Sequence, residues 1–306
     1  MCGIIGVSDH KEAANIAFLG LYALQHRGEE AAGIASYEGE NIHLTKSAGL
    51  VADAFDEDSL KSLKGKTAIG HTRYSTTGSS NSKNIQPFLV THRNRPMAVA
   101  HNGNLTNTEE LYRELEGEGS IFQTTMDSEI VVHLLAKARN GNMKKWFIEV
   151  LSQLKGAFSL VFLVEDVLVG ARDPQGFRPL CLGKIDQSYI LASESCALDL
   201  IHAEFIREID PGEIVFIKNN KIESAYLPGW KKAKKAHCIF ENIYFARPDS
   251  NIFNENIYQV RKRLGRQLAK EHPVKADFAM SIPDSGNYAA IGYAQELDLP
   301  FEVGII

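Results

Sequence analysis

Long apolar runs are missing from this 306-residue chain. None approaches the roughly 20 consecutive apolar residues that a membrane-crossing helix needs, and no basic segment precedes an apolar stretch as in a secretory leader. Cysteine is scarce: the four residues Cys2, Cys181, Cys196 and Cys238 are widely spaced and contain no C-x-x-C pair. That spacing indicates neither a disulfide framework nor a zinc site, and a reducing cytoplasm is the simplest compartment. A large charge of one sign is also absent, the formal net charge being -5, which offers no electrostatic footprint for nucleic acid. The local run Lys231-Lys232-Ala233-Lys234-Lys235 reads as a solvated linker rather than a binding patch. Neither an internal repeat nor a low-complexity tract is present. What remains is globular: 44% hydrophobic and 23% charged residues, in a length that suits one large domain or two ordinary ones.

Hydrophobic periodicity organises the chain into two regions. Up to residue 227, strands and helices come in blocks. Strand patterns at Gly33–Tyr37, Ile42–Thr45, Thr67–Gly70 and Met97–Ala100 are followed by helices at Asn107–Leu115, Ser128–Arg139 and Met143–Leu154. A capping box, Thr106-x-x-Glu109, opens the first of these helices. Further strands follow at Phe158–Val164, Val167–Ala171, Leu180–Gly183, Tyr189–Ala192, Glu213–Ile217 and Ile222–Leu227. Blocks of this kind predict an α+β domain with two antiparallel sheets and helices packed on them. Beyond a linker over 228–240 the pattern changes. A helix at Glu255–Lys270, a strand at Phe278–Ile282, a helix at Tyr288–Leu297 and a strand at Phe301–Ile306 predict the opening of a parallel α/β domain.

Cys2 stands directly behind Met1 in Met1-Cys2-Gly3-Ile4-Ile5-Gly6. A small second residue lets the methionine be trimmed, which would place a thiol and a free α-amine on one residue. An α-amine titrates at about 7.7–8.0, so near neutrality it can act as base for the adjacent thiol. The same residue read blandly is a buried cysteine beginning a strand.

Four further motifs accompany it: Gln25-His26-Arg27-Gly28; Gly70-His71-Thr72-Arg73-Tyr74-Ser75-Thr76-Thr77-Gly78; Ala100-His101-Asn102-Gly103-Asn104-Leu105; and Thr125-Met126-Asp127-Ser128-Glu129. In order and character, this set resembles the class II glutamine amidotransferases, which have the four-layer αββα N-terminal-nucleophile hydrolase fold. The resemblance implies that Cys2 is the nucleophile, and that Asn102 and the Gly103 N–H form the oxyanion hole. It also implies that Arg73 pairs with the glutamine carboxylate, Asp127 with its ammonium group, and that Tyr74 to Ser82 form a mobile loop closing over the substrate. Arg27 is implied to position the N-terminal residue, with a structural salt bridge as the alternative. Taken singly, Arg73 reads as a surface salt-bridge residue and Asp127 as a helix N-cap, and His71 and His101 read as structural.

The segment Cys238-Ile239-Phe240-Glu241-Asn242-Ile243-Tyr244-Phe245-Ala246-Arg247-Pro248-Asp249-Ser250 narrows the resemblance. It is similar to the junction of the amidophosphoribosyltransferase family, and Ile282-Pro283-Asp284-Ser285-Gly286 is similar to the early phosphoribosyltransferase domain of that family. The domains implied are a glutaminase domain over 2–227 and a partial phosphoribosyltransferase domain over 241–306. The implied partners are glutamine and, in the full-length enzyme, phosphoribosylpyrophosphate with Mg²⁺, in a homo-oligomer without nucleic acid or membrane. No segment carries paired acidic residues followed by a Gly/Thr-rich anion-binding loop, so the chain is expected to be truncated before its acceptor site. Cys238 is open to two readings, a [4Fe–4S] ligand or a packed core cysteine. Rival functions are another class II amidotransferase, a glutaminase-only fragment and a non-catalytic regulatory fragment. The junction segment argues against the first, and the presence of Cys2, Arg73, Asn102 and Asp127 argues against the last.

Overall fold

A computed structural model describes residues 1–74, 82–92, 95–138 and 141–306. The chain forms two compact units, Met1–His237 and Cys238–Ile306, each with its own core. Among the described residues no helix is long and apolar enough to cross a membrane.

In the first unit β1 (Gly3–Val7) leads into α1 (Ala13–Ala23) and the hairpin β2 (Ala31–Glu38) and β3 (Asn41–Ala48). The short helices α2 (Val51–Ala54) and α3 (Glu57–Ser62) precede β4 (Thr67–Arg73), β5 (Phe88–His92) and the long β6 (Arg95–Leu105). Helices α4 (Thr108–Gly117), α5 (Asp127–Lys137) and α6 (Met143–Leu151) follow, then β7 (Gly156–Val164), β8 (Val167–Arg172), β9 (Cys181–Ile185) and β10 (Ser188–Ala192). Helix α7 (Ser195–Leu200), β11 (Glu204–Glu208), β12 (Glu213–Lys218) and β13 (Lys221–Tyr226) complete it.

The strands form two wholly antiparallel sheets, ordered β11-β9-β10-β1-β4-β2-β3 and β13-β12-β8-β7-β6-β5. Because strand side chains alternate, each sheet has two faces to cover. Ile4, Ile69, Ala100, Val161 and Leu191 share the core between the sheets. Ile5, Val7 and Ile34 face the opposite way and pack with Ala17 and Leu21 of α1. On the outer face of the second sheet, Val99, Phe158 and Phe162 pack with Leu111 of α4, Val131 of α5 and Phe147 of α6. The result is the four-layer αββα stack. Strand β1, central and covered on both faces, is buried at all five residues, and each such apolar side chain contributes about 1.5–3 kcal/mol.

Several local expectations are corrected. The Thr106 capping box does not form: α4 starts at Thr108 with Asn107 at its N-cap. The Asn107 amide instead bridges the Gln153 carbonyl and the Lys155 N–H, while the Thr106 N–H donates to the Lys155 carbonyl. Residues 228–237 stay with the first unit rather than forming a free linker. Trp230 stacks on Tyr226 at 4.2 Å between ring centroids, and the Ala236 N–H donates to the Gln175 carbonyl at 2.9 Å. Strands β5 and β11 and helices α2, α3 and α7 escaped the sequence reading. They are short, and β11 is an exposed edge strand bearing charges.

In the second unit a two-residue hairpin, β14 (Asn251–Ile252) and β15 (Glu255–Asn256), leads into α8 (Ile257–Glu271), which packs on α9 (Asn287–Glu296). The helices cross where neither tolerates a side chain. A Cβ on Gly265 would lie 1.8 Å from the Ala289 carbonyl oxygen, and one on Gly292 would lie 2.1 Å from that of Lys262. Buried Arg261 donates to the carbonyls of Asn242 and Ala246 at 2.8 Å each, tying the turn at 241–245 to α8. The expected strands Phe278–Ile282 and Phe301–Ile306 shrink to one parallel bridge, Ala279 with Phe301. Two parallel segments without further strands beside them make a weak ladder.

Candidate active site

Cys2 lies at the mouth of the first unit's central strand, and several groups hold its backbone. The Gly3 N–H donates to Thr72 Oγ1 at 3.1 Å, and the Ile4 N–H donates to Ser193 Oγ at 2.9 Å. Arg27 Nε donates to the Cys2 carbonyl at 3.0 Å. The half-buried thiol points to the Tyr74 carbonyl, 3.6 Å away. Burial pushes the thiol pKa up, and the Asp127 charge adds to this. The Tyr74 hydrogen bond, the N-terminal amine and Arg27 favour the thiolate, but burial prevails. A thiol so placed is protonated near neutrality and needs a base to become a nucleophile.

Asn102 and Gly103 lie on β6, in the second sheet, opposite Ser159 and Phe158 of β7. Asn102 is fully buried, and neither its Nδ2 nor its Oδ1 has a hydrogen-bond partner among the described residues. Buried amides are nearly always paired, so an orphaned one calls for an explanation. Gly103 cannot carry a side chain: its Cβ would sit 2.1 Å from the Ala157 carbonyl oxygen and 2.6 Å from His101 Nε2. The two sheets are linked at this level by His71, the register partner of Ile4, whose Nε2 donates to the His101 carbonyl at 3.2 Å. Burial first, then the electrostatic influence of the His101 ring, Arg73 and the N-terminus, lower the His71 pKa to about 3, against the His101 hydrogen bond.

Asp127 is the first residue of α5, with Met126 at the N-cap, so the N-cap reading of Asp127 is corrected. Its carboxylate turns instead to β6, with Oδ1 3.1 Å from His101 Nδ1 and Oδ2 accepting the Leu105 N–H at 3.0 Å. Burial opposes its ionisation, but the His101 ring and the backbone N–H groups outweigh burial and hold the carboxyl below the usual range. Glu129 shapes the approach to this helix by accepting the N–H groups of Gln123 and Thr124, each at 2.7 Å. Arg73 closes β4 and is buried, which corrects its reading as a surface residue. Its carbonyl accepts the Glu30 N–H at 3.2 Å. Tyr74 is half exposed, whereas the expected substrate loop continues through residues 75–81, which lie outside the described residues.

Arg27 is buried beneath Cys2, and its Nη1 pairs with the Glu194 carboxylate. Thr72, Glu129, Ser193 and Glu194 fall in segments that the sequence reading matched to the family, but it gave none of them a role. The available signal was weak: short polar residues immediately after apolar strand patterns, or inside a helix start.

A cysteine-led central strand in an antiparallel αββα stack, with an orphaned asparagine in the second sheet, defines an N-terminal-nucleophile domain of the glutamine amidotransferase class. A family model for the glutamine amidotransferase domain matches residues 71–200. The chain belongs to the amidophosphoribosyltransferase family. The amidophosphoribosyltransferase of Archaeoglobus fulgidus is 45% identical over 310 residues, covering 100% of this chain and 67% of its own length. That of Methanocaldococcus jannaschii is 44% identical over 324 residues, covering 100% of this chain and 69% of its own. The structure of Bacillus subtilis glutamine phosphoribosylpyrophosphate amidotransferase complexed with ADP and GMP superposes with a TM-score of 0.93 at 41% identity. That match covers 99% of this chain and 66% of the other. The chain spans 54% to 69% of the length of curated relatives it matches.

The cofactors expected from the resemblance find few ligands here. Cys238 is the only cysteine of residues 238–306, so that unit supplies one of the four thiolates a [4Fe–4S] cluster needs. Cys181 and Cys196 are buried in β9 and α7 of the first unit. The thiols of this chain do not by themselves make up such a cluster, and Cys238 is the one placed to contribute to it. Among the described residues, His26, Glu194 and Cys196 are grouped closely enough to share a metal ion, within 4.8 Å of one another, but the Arg27 cation occupies the same carboxylate.

Proposed function

We propose that this chain hydrolyses glutamine at Cys2, and that the whole protein passes the ammonia to C1 of phosphoribosylpyrophosphate. The product would be 5-phosphoribosylamine, in the first committed step of purine synthesis. The observation that carries the reading is the buried Asn102 amide without a partner, on the strand that His71 ties to the cysteine-bearing strand.

With Met1 removed, the Cys2 amine takes the thiol proton as sulfur attacks the glutamine side-chain carbonyl. The developing oxyanion is met by Asn102 Nδ2 and the Gly103 N–H, donors aimed before the charge appears. Collapse of the intermediate returns the proton to the leaving nitrogen, releases ammonia and leaves a thioester. Water then hydrolyses the thioester to glutamate. Arg73 offers a planar fork for the glutamine α-carboxylate, and Asp127, held ionised, offers a partner for the α-ammonium. Arg27 contacts the nucleophile's own carbonyl and so positions Cys2 rather than touching glutamine. The domains follow as a glutaminase domain and the opening of a phosphoribosyltransferase domain, which in the whole protein uses Mg²⁺ and assembles as a homo-oligomer. Four free thiols suit a reducing, cytoplasmic setting.

The test is ammonia release from glutamine, with mass spectrometry of the N-terminus and of the residue labelled by a glutamine-mimicking electrophile. Removal of Met1, labelling of Cys2 and loss of hydrolysis in Cys2→Ala are expected. Full hydrolysis by Cys2→Ala would falsify the assignment.

A further inference from the structure

Glu194 occupies the turn between β10 and α7 and is completely buried. Its Oε1 accepts Arg27 Nη1 and faces His26 Nε2 at 2.9 Å, and its Oε2 lies 3.7 Å from Cys196 Sγ. The preceding residue, Ser193, accepts the Ile4 N–H on Oγ and donates its own N–H to the Ile4 carbonyl at 3.0 Å. One turn therefore grips the nucleophile's strand twice, at Ile4 directly and at the Cys2 carbonyl through Arg27.

A guanidinium has a rigid planar fork, so fixing Nη1 on a carboxylate also fixes where Nε points. Here Nε points at the Cys2 carbonyl, 3.0 Å away. That carbonyl carbon is bonded to the Cα bearing both the thiol and the amine, so its placement sets nucleophile and base together. Misplacement of such groups by about 1 Å is enough to slow a reaction on the order of 10²-fold.

We infer that Glu194 is a positioning residue for glutamine hydrolysis, acting through Arg27 on Cys2 without touching substrate. The inference rests on Cys2 being the nucleophile. The permanent Arg27 cation on the same oxygen favours this role over metal binding by His26, Glu194 and Cys196.

The test compares Glu194→Gln, Arg27→Met and the double variant in steady-state glutamine hydrolysis, with circular dichroism to check folding. Glu194→Gln should lower kcat by about tenfold or more while KM for glutamine stays within about twofold. Because Glu194 works through Arg27, the double variant should be no slower than Arg27→Met alone, a non-additive outcome. Unchanged kcat in Glu194→Gln, a rise in KM alone, or multiplied losses in the double variant would each overturn the inference. Leaving the buried Arg27 without its partner can unfold the single variant; the double variant has no unpaired buried charge and then decides the matter. A folded double variant with normal KM and a lowered kcat equal to that of Arg27→Met supports the role, and one slower than Arg27→Met, or with wild-type kcat, overturns it. Labelling of wild-type Cys2 by the electrophile separates the two levels. A labelled wild type with an unaffected Glu194→Gln sinks this inference alone, whereas an unlabelled wild type sinks the reading of Cys2.

Discussion

His71 Nε2 donates to the His101 carbonyl at 3.2 Å, and this bond joins the strand paired to Ile4 with the strand that carries Asn102. The proposed nucleophile and the proposed oxyanion donors come from different sheets, and a buried neutral imidazole links the sheets beside them.

That imidazole makes the fold acid-sensitive. An unfolded chain protonates His71 near 6.5, the folded one only near 3. Its contribution to stability is therefore complete above 6.5 and is lost as pH falls toward 3. Linkage gives about 2 kcal/mol lost between pH 7 and pH 5. In His71→Gln, which keeps a donor for the carbonyl, the difference between urea denaturation at pH 7 and pH 5 should shrink by about that amount. An unchanged difference would show that His71 is already protonated in the folded protein.

Arg73 and Asp127 are assigned to groups of glutamine that do not change during reaction. Arg73→Leu and Asp127→Asn should each raise KM for glutamine by about 10- to 100-fold and leave kcat nearly intact. Because Asp127 is held below the usual carboxylate range, its variant should not alter the pH profile of KM between pH 5 and 8. A fall in kcat at unchanged KM would move either residue into the chemical step.

Asn102→Ala should behave in the opposite way. Loss of one oxyanion donor is expected to lower kcat by about 10²–10³ with KM little changed. The wild-type amide is buried without a partner among the described residues, a state that costs about 1–3 kcal/mol. The variant should therefore melt no lower than the wild type. Scanning calorimetry beside the kinetics checks both halves, and a variant that alters KM alone removes Asn102 from the oxyanion hole.

Gly103→Ala should lose stability and kcat together. Its Cβ would meet the Ala157 carbonyl, a backbone atom that cannot swing aside, so β6 must shift, at about 1–3 kcal/mol. A variant with normal melting temperature and normal kcat would show that the two strands separate freely here.

The sequence by itself determined two antiparallel sheets with helices packed on them, because strands and helices come in blocks, and its resemblance to the class II amidotransferases implied the four-layer order. The position behind Met1 marked Cys2, and the motifs that carry the family resemblance marked Arg73, Asn102, Gly103 and Asp127. Short and edge elements such as α7 and β11 stayed hidden, since a few residues carry too little periodicity to register. Only the tertiary structure decided what surrounds those groups. Asp127 reads locally as a cap, yet its carboxylate goes to His101 and Leu105, 26 and 22 residues away. Glu194 is separated from Arg27 by 167 residues and meets it only because both elements converge beneath Cys2. Burial, which raises the thiol and silences His71, is likewise a property of the packed sheets. Such contacts depend on strand order and register, and no local pattern in the chain encodes them.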